Sequence, residues 1–335
     1  MKKYIYFFIT AVMVVFTLTG CHINANKQSE QSEKFQIVTT IFPAYDWVRQ
    51  IMGDVANNAE LTMLLDNGVD LHSYQPTADD LIKISTCDMF IYVGGESDGW
   101  VEDALKNAVN KDMVVINMME LMGDSAKEEE MVEGMQKSEH DHEDESEHDH
   151  EDESKHSHLD EHVWLSLKNA KFFCQEIANK LCEIDPEHKD EYLTNLSVYI
   201  EKLSDLDVKY QEVVDNSLNK TLLFGDRFPF RYLVDDYNLD YYAAFSGCSA
   251  ETEASFETIT FLSNKVDELG LTCVLTIEGT KHNIAETIIS NTKSKNQQVL
   301  TMNSLQSITS NDVKNGTTYL SVMEQNLEVL KDALK

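Results

Sequence analysis

Histidines concentrated in one acidic segment are the residues of this chain whose spacing most directly suggests metal chemistry. Six of its eleven histidines fall within residues 139–158, where EHDHEDES occurs twice, at 139–146 and 147–154. They are His140, His142, His148, His150, His156 and His158. His-x-His pairs among carboxylates offer nitrogen and oxygen to borderline cations such as zinc, copper and nickel. Without a fixed geometry we expect weak binding at several sites, which would concentrate metal; the alternative is a solvated linker without a function of its own.

Two further histidines are placed differently, at junctions between elements of regular structure. His72 lies in GVDLHSYQPTADDL, after a predicted strand and before a predicted helix, and His162 lies in LDEHVWLSL, at the start of a helical region. Binding sites of α/β proteins form at such junctions. A lone histidine in a loop is otherwise structural or merely exposed. We therefore take His72 and His162 as candidate ligands of a fixed metal site.

The elements that must position these histidines follow an α/β pattern. Apolar runs predict strands at 37–41, 60–65, 87–93, 113–117, 221–224, 239–245, 272–278 and 298–302. Helical patterns lie between them, at 77–85, 100–109, 230–236, 255–269, 282–292 and 319–334. Strands that alternate with helices at this spacing predict parallel sheets. Residues 163–219 are helical throughout except at Asp185-Pro186, which predicts a long connecting helix pair.

The predicted organisation is therefore two α/β lobes with parallel sheets, joined by a long helical spine, with a metal cleft between the lobes. The predicted boundaries are 35–124 for the first lobe, 125–161 for the His/Asp/Glu-rich loop, 162–219 for the spine and 220–335 for the second lobe. The loop lacks enough apolar surface to offset the entropy of ordering it, so we expect it to be disordered.

The first 21 residues are typical of an exported lipoprotein. Lys2 and Lys3 precede an uncharged apolar run from Tyr4 to Leu18, which is shorter than the roughly 20 residues of a membrane span and fits a signal peptide. The run ends in Leu-Thr-Gly-Cys, which resembles the bacterial lipobox, so we expect lipidation at Cys21. Residues 22–34 would then be a polar tether that holds the protein outside the cytoplasm on the cell membrane. A plain secretory signal with an incidental cysteine is the alternative.

The charge of the chain excludes some classes of function. The formal net charge is −32 over 335 residues, and residues 127–161 alone, with sixteen acids and three lysines, contribute −13. Nucleic acid is not an expected partner, because phosphate binding needs lysine and arginine to displace counterions. An acidic surface attracts cations instead.

An enzyme is not expected either, since the sequence contains no HExxH or comparable fixed-spacing base beside a zinc motif. No CxxC pair indicates a zinc ribbon or redox motif, and spacing alone does not decide whether Cys248 and Cys273 pair.

Two motifs resemble those of the metal-specific solute-binding proteins of bacterial ABC importers, the zinc and manganese group. GVDLHSYQP at 68–76 is similar to the family's G-x-D-P-H-x-Y-x-P, and DEHVWL at 160–165 is similar to its D-P-H-x-W-L. The resemblance covers residues 37–334 and implies that His72 and His162 are metal ligands. It also implies delivery of the metal to a membrane permease. Because a histidine-rich acidic loop marks the zinc members, Zn²⁺ is the expected metal. The alternatives are Mn²⁺ and a lipoprotein that buffers metal or acts as an adhesin.

The second lobe departs from the family pattern. The resemblance places Arg227 where the family has its third ligand, but a guanidinium has no lone pair to offer. Asp226 beside it is the natural substitute. The fourth ligand aligns with Asn303, and Glu278 is a further candidate from the same lobe. We interpret Glu251, Glu253 and Cys248 as residues of the cleft rim or as caps.

Overall fold

The computed structural model describes residues 34–136, 158–249, 253–279 and 281–335. The predicted signal peptide, Cys21 and most of the tether lie outside these residues. Within the described ranges, no helix combines the length and the apolar character that crossing a membrane requires.

The first lobe is built on a four-stranded parallel sheet. Its strands are β1 (Gln36–Thr39), β2 (Glu60–Met63), β3 (Met89–Tyr92) and β4 (Val114–Asn117), in the order β2-β1-β3-β4. Helices α1 (Phe42–Met52), α2 (Ala78–Thr86), α3 (Val101–Lys106) and α4 (Met118–Met122) alternate with them, with short 3₁₀ turns at Gly53–Asn58, Leu71–Ser73 and Gly123–Ser125. Most residues of the two inner strands, β1 and β3, are buried, as expected for strands that are covered on both faces.

The second lobe repeats this plan. Its strands are β5 (Thr221–Phe228), β6 (Asp240–Ser246), β7 (Cys273–Ile277) and β8 (Gln298–Met302), all parallel in the order β6-β5-β7-β8. Between the lobes run α5 (Leu167–Ile184) and α6 (Lys189–Asn216). The helices that accompany the second sheet are α7 (Arg231–Tyr237), α8 (Phe256–Leu269), α9 (Asn283–Asn291), α10 (Ser310–Lys314) and α11 (Tyr319–Ala333).

Helix α6 joins the two lobes as a stiff spine. It has 28 residues, so it is about 42 Å long at 1.5 Å per residue. Its buried residues recur three or four positions apart and give it one apolar face, namely Tyr192, Leu196, Tyr199, Leu203, Leu206, Tyr210 and Val214. This face packs against α1, α5 and α11, which come from both halves of the chain. The Asp185-Pro186 break ends α5, because proline cannot continue the helical hydrogen bonds. The predicted two-lobed α/β fold with a long helix is confirmed.

The segment predicted as a disordered loop, 125–161, has defined structure at both of its ends. Glu128 and Leu159 form an antiparallel bridge, and the backbone amide of Gln136 donates to the carbonyl of Ala244 on β6. The ends are therefore ordered by hydrogen bonds with each other and with the second lobe, which composition alone does not reveal. Of its histidines, the structure describes His158, whose Nδ1 lies 2.6 Å from Oε1 of Glu96. His140, His142, His148, His150 and His156 lie outside the described residues.

Candidate metal centre

The short turn after β2 fixes the position of His72. Asp70 caps this 3₁₀ turn, and its Oδ1 accepts the backbone N–H of His72 at 3.0 Å. The ring Nδ1 lies 2.7 Å from Oγ of Ser97, in the loop that follows β3 of the first sheet. Because one ring nitrogen is engaged in this way, the other, Nε2, is left to face the second histidine. A partner on the outer nitrogen is the usual way to orient a metal-binding imidazole.

His162 is held more tightly. It is fully buried at the start of the 3₁₀ turn Val163–Leu165. Oδ1 of Asp160 accepts its backbone N–H at 2.9 Å and lies 3.0 Å from its Nδ1. The ring packs against Gly247, where a Cβ would come within 3.2 Å of Cε1 of His162. A carboxylate on Nδ1 fixes the orientation of the ring and strengthens Nε2 as a ligand.

The two Nε2 atoms lie 3.3 Å apart. Without a metal this distance allows one imidazole to donate a hydrogen bond to the other. It also matches a shared zinc ion: two nitrogens 2.0–2.1 Å from zinc at a tetrahedral angle are separated by about 3.3 Å. The two imidazoles can therefore bind the same cation with little rearrangement.

The electrostatics of the site favour the form of His72 that binds metal. Burial, followed by the proximity of His162, lowers the pKa of His72 from 6.5 to about 4. The ring is therefore neutral at physiological pH, as a ligand must be. Glu161 lies behind it, with Oε2 3.7 Å from Nδ1 of His72 and Oε1 accepting the backbone N–H of Ser97 at 3.0 Å. Burial raises the pKa of Glu161.

A third potential ligand in this group is Cys248. A ring nitrogen of each histidine and Sγ of Cys248 all lie within 4.8 Å of one another. Cys248 follows β6 of the second lobe, and its backbone N–H donates to Oε1 of Glu129 at 2.9 Å. Our sequence interpretation of Cys248 as a residue of the cleft rim missed this proximity. The available signal was its position just past the carboxyl end of a predicted parallel strand, where ligands bind.

Arg227 is engaged with a residue of the first lobe. Its guanidinium forms an ion pair and hydrogen bond with Oδ2 of Asp70, the residue that caps the turn carrying His72. Both side chains are about one-fifth exposed. The pair links the two lobes beside the histidines and places a cation where the resemblance expects a ligand.

Of the oxygen ligands proposed from the sequence, Asp226 and Glu278 do not belong to the group formed by His72, His162 and Cys248, and the side-chain oxygen of Asn303 is engaged elsewhere. Asp226 accepts backbone N–H groups through both oxygens, from Arg227 at 2.9 Å and from Ile277 at 3.3 Å. Glu278 accepts the N–H and the hydroxyl of Ser304, each at 2.7 Å. Oδ1 of Asn303 accepts the N–H of Leu305 at 2.7 Å. Glu278 and Asn303 therefore order the loop that follows β8, whereas Asp226 lies within β5 and accepts N–H groups of β5 and β7.

Comparison with known proteins identifies the class to which the chain belongs. Residues 37–333 match the family model "ZnuA: Zinc-uptake complex component A periplasmic". The chain belongs to this family. Its members are extracytoplasmic solute-binding proteins, and the family's two-lobed α/β fold is the one described above.

Individual relatives support the assignment to this family. The chain is 32% identical over 315 residues to the zinc-binding lipoprotein AdcA of Streptococcus pneumoniae (strain R6), covering 92% of this chain and 58% of AdcA. It is 29% identical over 328 residues to the high-affinity zinc uptake system protein ZnuA of Bacillus subtilis (strain 168), covering 98% and 96%. This chain thus spans about three-fifths of the length of the AdcA relatives and nearly all of ZnuA.

A solved structure shows the same fold. The Zn(II)-bound ZnuA-like domain of Streptococcus pneumoniae AdcA superposes with a TM-score of 0.67 and is 28% identical. The match covers 90% of this chain and 99% of that domain. The ZnuA-like part of AdcA therefore corresponds to the two-lobed fold of this chain.

Proposed function

We propose that this chain is an exported solute-binding protein that captures one Zn²⁺ between His72 and His162 and delivers it to an ABC importer. The observation that carries the proposal is the 3.3 Å separation of the two Nε2 atoms. Both rings are oriented from behind, by Ser97 and Asp160. Such an arrangement presents two neutral nitrogens to one cation and suits the tetrahedral preference of zinc.

Zinc is favoured over manganese by the ligand type and by the relatives. Imidazole suits zinc, whereas manganese prefers carboxylate, carbonyl and water oxygens. The relatives named above are a zinc-binding lipoprotein and a zinc uptake protein. The His-rich segment would raise the local zinc concentration without holding the ion tightly.

Export, anchoring and delivery complete the proposal. We infer a signal peptide at residues 1–21, a lipid on Cys21 and a tether at 22–34, from the apolar run and the Leu-Thr-Gly-Cys ending. The partner would be the permease of the importer in the same membrane. We propose a carrier without catalytic activity, which is consistent with membership of a solute-binding family.

A metal titration of the mature chain, residues 22–335 after the lipidated position, tests metal capture. We expect one tightly bound zinc equivalent that His72→Ala and His162→Ala each abolish, with manganese binding far more weakly. Deletion of both EHDHEDES repeats, 139–154, should remove only weaker equivalents. His188→Ala is the matched control, because its ring pairs with Asp185 at the end of α5.

Unchanged tight binding in either variant of the histidine pair would refute the site. Delivery is tested separately, in cells that lack the chain and are starved of zinc. Restoring the wild-type gene should restore zinc uptake, and His162→Ala should not. Restoration by both would refute the role of the site in delivery, and restoration by neither would favour a metal buffer.

A further inference from the structure

The group of three potential ligands contains a sulfur as well as two imidazoles. Sγ of Cys248 lies within 4.8 Å of ring nitrogens of both His72 and His162. The cysteine is a free thiol and is only partly exposed. The two histidines belong to the first lobe and the start of the spine, whereas Cys248 follows the edge strand of the second sheet. A metal held by all three would therefore join both lobes.

The distances are close to those of a zinc site. A sulfur 2.3 Å from zinc and a nitrogen 2.0–2.1 Å from it, at a tetrahedral angle, are about 3.6 Å apart. Since Sγ and the ring nitrogens lie within 4.8 Å of one another, each sulfur–nitrogen distance exceeds this value by at most about 1.2 Å. Rotation of one side chain, or a small approach of the two lobes, covers such a difference. The nitrogens already have the separation that zinc requires.

The backbone around Cys248 is built against the histidine pair. Gly247 leaves room for the ring of His162, since a Cβ there would lie 3.2 Å from Cε1 and 2.8 Å from the carbonyl oxygen of Phe228. On the other side, the N–H of Cys248 is held by Oε1 of Glu129. The turn that carries the thiol therefore contacts His162 through Gly247 and is held by a hydrogen bond to Glu129.

We propose that Cys248 is the third protein ligand of the metal bound by His72 and His162, and binds as a thiolate. On coordination the thiol proton leaves to solvent and a sulfur lone pair forms the bond to zinc. A His₂Cys set leaves one tetrahedral position for water or a transferable ligand. The thiolate also supplies a negative charge, which two neutral imidazoles lack. This charge comes from the second lobe, where Arg227 occupies the position in which the family resemblance expects a ligand. Because thiolate is a soft ligand, the set would favour zinc over manganese.

This inference rests on the proposed function, and cobalt substitution separates the two. Co²⁺ added to the full mature chain serves as the probe, since thiolate coordination gives a sulfur-to-cobalt charge-transfer band in the near ultraviolet. We expect one equivalent of Co²⁺ to produce this band in the wild type. Cys248→Ser should lose the band and bind zinc at least ~10-fold more weakly, the lower end of the loss seen when merely outer-shell partners are removed. Cys182→Ser, which changes a free thiol on α5, is the matched control and should keep both properties.

The outcomes distinguish the two claims. Cobalt bound in a manner that depends on His72 and His162 but without a charge-transfer band would overturn the role of Cys248 and leave the proposed function standing. Failure of the wild type to bind any equivalent through the histidines would overturn both. If Cys248→Ser fails to fold, the wild-type band and its retention in Cys182→Ser decide together, because Cys182 is the other partly exposed thiol among the described residues and Cys87, Cys174 and Cys273 are buried.

Discussion

Asp160 offers the most detailed prediction about the site, because one of its oxygens holds both the backbone and the ring of His162. Oδ1 accepts the backbone N–H at 2.9 Å and lies 3.0 Å from Nδ1, and the side chain is buried. Asp160→Asn keeps an oxygen that can accept both hydrogen bonds but removes the charge. Asp160→Ala removes the charge and the acceptor together. The pair of variants therefore separates the electrostatic from the orienting contribution.

The expected losses follow from the role of an outer-shell carboxylate. Removing such a partner lowers metal affinity about 10–100-fold, which corresponds to roughly 1.4–2.8 kcal/mol. We expect Asp160→Asn near the lower end and Asp160→Ala near the upper end. The alanine variant also leaves buried donors of His162 without an acceptor, which should lower the free energy of unfolding by about 1–3 kcal/mol.

Zinc affinity can be measured by competition with a chelator of known strength, and stability by urea unfolding of the metal-free chain. Asp185→Asn is the matched control, since Oδ2 of Asp185 lies 2.8 Å from Nδ1 of His188 in the same kind of pair, away from the site. It should leave zinc affinity unchanged. An Asp160→Ala variant that folds and binds zinc as tightly as the wild type would refute the orienting role.

Three further predictions concern residues around the site. Arg227→Met should lower the free energy of unfolding, measured with urea, by about 1–3 kcal/mol, because Asp70 is left partly buried without its partner. An unchanged free energy of unfolding would show that water solvates Asp70 as well as Arg227 does. Burial raises the pKa of Asp98 from 3.8 to about 7, so the folded chain holds a proton that the unfolded chain releases between these values, and stability falls as pH rises through that window. Asp98→Asn should remove this fall in thermal unfolding from pH 4 to pH 8, and an unchanged pH profile would contradict the assignment. Gly247→Ala should displace the ring of His162 and weaken zinc binding by ~10-fold or more in chelator competition, whereas unaltered affinity would show that the neighbouring backbone can yield.

Much of the fold could be predicted because local patterns decide it. The run Met89–Tyr92 is apolar on both faces, and such a run is typical of an inner strand of a parallel sheet. Asp185-Pro186 marked the end of α5 because proline breaks the helical ladder. By contrast, β5 continues past Phe224 to Phe228 through an irregularity in its pairing with β6, which depends on the neighbouring strand and not on the run itself.

The residues of the candidate site also differ in whether the sequence could predict them. His72 and His162 could be proposed from junction positions and motifs, although they are separated by 90 residues in sequence. The proximity of Cys248 to them could not be read from spacing, because it depends on how the two sheets face each other. The pairing of Arg227 with Asp70 also joins the two lobes, so the sequence could exclude Arg227 as a ligand but could not give its actual partner.

The ordered ends of the His-rich segment show that composition alone does not predict which backbone groups form long-range hydrogen bonds. Its composition predicts a solvated loop, and nothing in it signals the hydrogen bond from the amide of Lys127 to the hydroxyl of Tyr232 at 3.0 Å. That contact joins residues 105 positions apart. Composition estimates whether a segment can bury apolar surface, but it does not detect polar backbone groups that find partners on another lobe.

The position of zinc in crystals of the zinc-loaded mature chain tests the central claim most directly. Diffraction data on either side of the zinc absorption edge locate the ion without assumptions about its ligands. We predict one strong anomalous peak about 2.0–2.1 Å from Nε2 of both His72 and His162. A strongest peak elsewhere, with the two imidazoles still 3.3 Å apart and hydrogen-bonded to each other, would contradict the account.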